Sequence, residues 1–206
     1  EVARIEYLSN NPIMVEASAS LVEKKGFKIW LTDSRYNEIV WNYSDRYFSY
    51  LRKKGWPDKV IDETISSSKS IIEKLGDPKS TDAFFVKGLV VGSVQSGKTA
   101  NFNAVVNRAI DSGYALIIVL AGIMEDLRSQ TQERIEKEVS GTGTLGGVSE
   151  IKKFGEMGDP KVHQVVMPTS IRHDFKKTIA EADFSLNNKN VLVCKKNVGV
   201  LKNLIL

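Results

Sequence analysis

Eight consecutive residues, Gly92-Ser93-Val94-Gln95-Ser96-Gly97-Lys98-Thr99, follow the pattern G-x-x-x-x-G-K-[ST]. The chemistry of that spacing is phosphate binding. Glycines let the backbone bend so that successive N–H groups point at phosphate oxygens, and a helix opening behind them adds the positive end of its dipole. Lys98 offers a cation to the terminal phosphates, Thr99 a hydroxyl to Mg2+, and Ala100 continues the helix. Gly92 to Ala100 is therefore the expected nucleotide-binding set, with ATP and Mg2+ as the expected cofactors. The bland alternative is a glycine turn before a helix that binds nothing.

A phosphate loop works only between a buried strand and a helix. Val86 to Val91 and Ala115 to Leu120 are short, β-branched, nearly uninterrupted apolar runs, as expected of parallel strands covered on both faces. Between them Ala100, Val105, Val106, Ala109 and Ile110 predict a helix closed by Gly113, which completes a βαβ unit. Downstream, Leu127, Thr131, Ile135 and Val139 predict the buried face of a helix over about 126–139, and Gly141, Gly143, Gly146 and Gly147 a loop. Strands are expected at Val162 to Met167 and Val191 to Lys195, with a helix around Ile171 to Ala182 between them. Upstream, Ile39, Tyr43, Tyr47, Tyr50 and Leu51 recur at helical spacing before Gly55, and Ile61, Ile65, Ser68, Ile72 and Leu75 repeat the pattern after Pro57. The aromatic residues of the first helix suit either base stacking or packing, with packing favoured. A short helix is expected over Val15 to Lys25. The fold class is α/β: an N-terminal helical segment over 1–82, with a helical hairpin at about 36–76, followed by a nucleotide-binding lobe over 83–206.

Hydrolysis would need more than this. One carboxylate at the end of a neighbouring strand must hold Mg2+ through water, and a second must orient the attacking water. Met167 is followed by Pro168-Thr169-Ser170 and Cys194 by Lys195-Lys196-Asn197, so neither later strand supplies one. Asp126 reads better as a helix-start residue. The chain either binds nucleotide without hydrolysing it or is completed by an acid beyond Leu206.

Composition narrows the setting. The 206 residues are 42% hydrophobic and 26% charged, a balance that excludes disorder and fibrous architecture. The apolar run Ala115 to Met124 is too short to cross a bilayer, and no leader pattern opens the chain, so no membrane association is expected. One cysteine, Cys194, and two histidines, His163 and His173, allow neither an internal disulfide nor a finger-type metal site. A reducing cytoplasmic compartment fits. The net charge of +4 is uneven, with 19 basic and 20 acidic residues in 1–150 but ten and five in 151–206. That surplus mildly favours a polyanionic partner, although a scattered surplus of this size is more often a solvated lysine surface. Val198, Leu201, Leu204 and Ile205 run in helical register to Leu206 without a capping signal, so the chain is expected to be a piece of something longer.

Several stretches together carry a resemblance. They are Gly88-Leu89-Val90-Val91-Gly92-Ser93-Val94-Gln95-Ser96-Gly97-Lys98-Thr99-Ala100-Asn101, Asp111-Ser112-Gly113-Tyr114-Ala115-Leu116-Ile117-Ile118-Val119-Leu120-Ala121-Gly122, and Leu127-Arg128-Ser129-Gln130-Thr131-Gln132-Glu133-Arg134-Ile135. With Leu75-Gly76-Asp77-Pro78 and Val191-Leu192-Val193-Cys194-Lys195-Lys196-Asn197, they resemble the Z-one domain family over about residues 36–206. That family carries an endonuclease label and is similar to the superfamily-two helicase-like ATPases of bacterial restriction and phage-defence systems. The resemblance implies a RecA-like first lobe and an acidic Asp-Glu-type element after the segment matching 191–206. It also implies nucleic-acid backbone contact after the second strand, through Arg128, Gln130, Gln132 and Arg134, with Lys195 and Lys196 as further basic candidates. The alternative for that helix is an ordinary solvated face, with Glu133 four residues before Lys137.

The endonuclease label finds no support in the residues. Pro57-Asp58 and Glu150-Ile151-Lys152 mimic the halves of a P-D…E-x-K site, but they flank the whole βαβ unit, and Asp58 stands where a helix start wants an acid. His173 is followed by Asp174 and Phe175, without the His-x-Lys spacing of a phospholipase-type nuclease. Any cleavage is expected from another domain or subunit of the same system. The leading expectation is the ATP-binding lobe of a helicase-like, DNA-directed ATPase, the motor or regulatory part of a restriction system. The alternative is a non-hydrolysing nucleotide sensor or assembly module within a larger complex. A small-molecule kinase would need an acceptor pocket and lid arginines that are not recognisable.

Overall fold

Apolar residues three and four apart fold the first part of the chain into helices, described in a computed structural model that covers residues 29–91, 97–141, 147–151, 165–176 and 187–205. The helix expected from Tyr36 to Leu51 is in fact two, α1 (Asp33–Glu38) and α2 (Asn42–Lys53). The break at Ile39 to Trp41 has a local cause. The Trp41 indole turns back to donate to the Tyr36 carbonyl at 2.9 Å, and the two rings lie against each other at a 32° tilt with centroids 4.7 Å apart. After Pro57, α3 (Asp58–Glu73) buries Val60, Ile61, Thr64, Ser68 and Ile72. The aromatic residues of α2 face inward: Tyr47, Phe48, Tyr50 and Leu51 pack with Ile61 and with Ala104 of α4 (Lys98–Ser112). Tyr47 is wholly buried, its hydroxyl donating to the Ala100 carbonyl at 3.2 Å, so this stripe is packing surface and not a stacking platform for bases.

The sheet is small and parallel. Strands β1 (Leu116–Leu120), β2 (Val165–Val166) and β3 (Lys189–Cys194) lie in the order β1-β3-β2, with Ile117 opposite Val191 and Val119 opposite Val193. Ile117, Val119, Val191 and Val193 face a core completed by Tyr43, Val106, Ile110, Ile135 and Val139. Tyr43 of the helical segment and these strand residues therefore share one core. On the opposite face, Leu192 and Cys194 meet Phe175 and Val200 of α6 (Val198–Ile205), whereas Leu116, Ile118 and Leu120 of β1 remain partly exposed.

Three expected elements are corrected. Val86 to Val91 forms no strand, with Leu89 at 87% and Val91 at 84% exposure, and no strand among the described residues lies beside it to accept its backbone hydrogen bonds. The helix expected from Ile171 begins instead as a turn in which Ser170 and His173 exchange backbone hydrogen bonds. Arg128 donates to the Ser170 and Ile171 carbonyls, the acceptors a first helical turn there would need. Third, α5 (Glu125–Ile135) buries Arg128, Gln132 and Ile135, while Leu127, expected inside, is about half exposed. Residues 177–186, the expected helix at 15–25 and positions 142–146 of the glycine-rich stretch lie outside the described residues.

After α5 a π-helical turn, Glu136–Ser140, ends at Gly141. The returning chain then passes close to it at Gly147, where φ is +91° and an added Cβ would lie 2.2 Å from the Lys137 carbonyl oxygen. Gly147→Ala is expected to destabilise the fold by more than about 1 kcal/mol, from the left-handed backbone and the clash together. A urea midpoint unchanged from the parent would contradict this.

Candidate nucleotide site

The helix expected after the phosphate loop is present. α4 starts at Lys98, and Gly97 at its N-cap has φ +74°, a left-handed conformation that glycine adopts without strain. Gly92 to Ser96 lie outside the described residues, so of the motif the structure places Gly97, Lys98, Thr99 and the buried Ala100. Lys98 and Thr99 are exposed and open onto a cavity of about 260 Å3, lined also by Phe102, Asn103, Thr131 and Arg134. The lining comes from α4 and α5, which are joined directly and through the π-helical turn that follows α5. Arg134 Nη1 donates to Thr99 Oγ1 at 3.4 Å, Asn103 Nδ2 to Glu138 Oε2 at 2.5 Å, and Asn107 Nδ2 to the Glu138 carbonyl at 3.2 Å. The lining thus sets two cations and two threonine hydroxyls around the start of a fifteen-residue helix. Such a cavity suits an anion. No carboxylate lines it among the described residues.

The expected nucleic-acid residues separate in space. Arg128 has no exposed surface: Nε donates to Glu125 at 2.7 Å, Nη1 to the Ser170 carbonyl at 2.9 Å and Nη2 to that of Ile171 at 2.7 Å. Gln132 is equally buried, bonded through Nε2 to the Thr169 carbonyl and through Oε1 to the Thr169 hydroxyl, both at 2.8 Å. Both were expected at DNA and are corrected, since neither reaches solvent. Arg134 is exposed but turned toward Thr99. Gln130 and Lys196 stay exposed, and Lys195 pairs with Glu125 at 2.7 Å and Asp174 at 3.8 Å. The Arg128 guanidinium, joined by the Lys195 ammonium, holds the Glu125 carboxyl below the ordinary range.

Other candidates stay apart. Asp58 opens α3 in the open, 3.9 Å from Arg52, while Glu150 ends a short 3-10 turn (Gly147–Glu150) and Lys152 lies outside the described residues. No group of three or more His, Cys, Asp or Glu side chains among the described residues could hold a metal. His173 Nδ1 shares a hydrogen bond with Ser170 Oγ at 3.3 Å, and burial pushes the Cys194 thiol up to about 12, too high for a thiolate nucleophile. No helix of the described residues is long and apolar enough to cross a membrane. Sequence reasoning missed Phe102, Asn103 and Thr131 as cavity residues. For Asn103 the signal was its position four residues after Thr99, on the same helical face. Compared with known proteins, the chain matches no family model, no curated protein and no solved structure.

Proposed function

We propose that the chain is the ATP-binding, RecA-like lobe of a helicase-like, DNA-directed ATPase, the motor or regulatory part of an endonuclease-associated restriction system. The observation that carries the nucleotide reading is the placement of Lys98 and Thr99. They open a long helix behind a left-handed glycine and face a cavity whose other cation is Arg134. Gly92 to Ala100 would wrap the phosphates, Lys98 would neutralise their charge, and the exposed Thr99 hydroxyl is the group that fits Mg2+. Bound there, Mg2+ would supply charge neutralisation between phosphate oxygens. The mixed α/β architecture with its parallel sheet is compatible with such a lobe. For DNA the support is the basic surplus of residues 151–206 and the exposure of Gln130 and Lys196.

Lys98→Ala is expected to weaken Mg2+-dependent ATP binding by at least about tenfold, read by calorimetry. Equal affinity in the two proteins would end the reading. One observation favours a sensor that holds nucleotide without hydrolysing it. Glu138, the acid bonded to the cavity residue Asn103, is tied to that amide at 2.5 Å and is not itself in the lining. Release of phosphate from ATP, with and without DNA, separates motor from sensor.

A further inference from the structure

We propose that Arg134 reads the terminal phosphate of the bound nucleotide, exchanging its hydrogen bond to Thr99 for one to phosphate. The inference rests on the nucleotide reading above and goes beyond it by assigning the discrimination between triphosphate and diphosphate to a residue outside the phosphate-loop motif.

The geometry is specific to this side chain. Arg134 sits between Gln132 and Ile135, which are buried to within 1% of their surface, so the helix beneath it is fixed while its guanidinium stays in solvent. No carboxylate among the described residues pairs with it, and its bond is to Thr99 Oγ1 at 3.4 Å, a long contact to a neutral acceptor. A guanidinium carries five donors in a planar fork suited to a phosphate group, so a lone hydroxyl leaves most of that capacity unused. Thr99 is also the residue whose hydroxyl would serve the metal. A hydroxyl oxygen facing Mg2+ and a guanidinium on the same side would bring two cations together at close range, which is repulsive. Loading the site therefore frees Arg134 from Thr99, and the anion nearest to hand is the phosphate chain between Lys98 and Arg134. A diphosphate offers one phosphoryl group fewer for it to meet. Through α5 the exchange would be felt at the turn held by Arg128 and Gln132, because those side chains bind the carbonyls of Thr169, Ser170 and Ile171.

The test titrates the full chain, with Mg2+, against ADP and a non-hydrolysable ATP analogue, in the parent and in Arg134→Ala, Arg134→Lys and Lys98→Ala. The parent is expected to prefer the analogue by about tenfold, the ratio that a charge-assisted contact to one further phosphate supplies. Arg134→Ala should bring the ratio close to one by weakening the analogue more than ADP, and Arg134→Lys, which keeps the charge but not the fork, should restore part of it. If Lys98→Ala loses binding but Arg134→Ala keeps the parent's ratio, the role given to Arg134 is wrong and the phosphate loop stands. A parent that binds neither nucleotide, or a Lys98→Ala variant that binds both as the parent does, overturns the nucleotide reading and this inference with it. If Arg134→Ala weakens binding of a DNA oligonucleotide without moving the ratio, the side chain serves nucleic acid and the proposal falls.

Discussion

Arg128→Ala is expected to lower unfolding free energy by about 3 to 4 kcal/mol. The side chain is wholly buried, and its three bonds join the first turn of α5 to the turn at residues 170–173. Truncation leaves the Ser170 and Ile171 carbonyls without their donor, and it opens a cavity beneath α5, two losses of about 1 to 3 kcal/mol each. Glu125 keeps Lys195 as a partner at 2.7 Å and is half exposed, so it adds little to the loss. Arg128→Lys, which keeps one charge but cannot reach two carbonyls and a carboxylate at once, should recover less than half. A denaturant midpoint for Arg128→Ala within error of the parent would return Arg128 to the solvent-facing role first expected of it. Limited proteolysis should also report where the damage lies, with cleavage accelerated near 170 ahead of the helices at 42–73.

The second large effect is expected at Asp111, with Asp111→Ala costing about 3 kcal/mol at neutral pH. Helix α2 has no capping side chain of its own, since Trp41 stands at its N-cap. Its first donors are met from across the fold: Tyr43 N reaches Asp111 Oδ1 at 3.0 Å, and Ser44 N and Ser44 Oγ reach Oδ2 at 2.9 and 2.7 Å. Asp111 thus caps a helix 68 residues upstream, and its removal leaves buried N–H groups unmatched at the start of the helix that carries Tyr43, Tyr47 and Phe48 into the core. Burial pushes its carboxyl up to about 6 against the pull of the Ser44 and Tyr43 donors. A folded-state value above the unfolded value of about 3.9 means that the native protein takes up a proton in that interval. The proton-linked part of this group's contribution is therefore complete below about pH 4 and is lost as pH rises through about 6, so that at neutral pH Asp111→Ala removes the cap hydrogen bonds alone. The stability gap between parent and Asp111→Ala should be wider at about pH 4.5 than at about pH 7.5, as measured by urea unfolding. A gap that widens with rising pH would reverse the assignment.

Much of the core was legible in the sequence because its signals are local. The β-branched run Val191 to Val193 reads as a buried strand and is one, and the periodic helices of 58–73 and 98–112 emerge with their boundaries close to the Pro57 and Gly113 signals. The misreadings share a cause, which is that burial depends on partners. Val86 to Val91 has the composition of a strand but gains no ladder, and composition alone cannot supply a neighbour. In α5 the inward stripe is Arg128, Gln132, Ile135 and onward to Val139, spaced four, three and four. Weighting apolar residues favoured Leu127 and Thr131 because an arginine is seldom wholly buried. The site divided similarly. The phosphate-loop spacing announced itself, whereas Arg134 at Thr99 depends on the packing of two helices that brings together residues 35 apart in sequence, which no local pattern encodes.

The borrowed cap on α2 also bears on synthesis. When α2 and α3 leave the ribosome, the carboxylate that closes α2 has not yet been made. The carbonyl of Val139, which receives the Arg46 guanidinium, comes later still, and Lys189, which donates to the last-turn Ile110 carbonyl of α4 at 2.7 Å, comes after both. The early helices can condense on α4 only after it has emerged, and the far end of α4 waits for the strand that carries Lys189. The nascent N-terminal hairpin therefore spends its first seconds with aromatic residues uncovered, a window in which a chaperone that shields Tyr47 and Phe48 has something to hold.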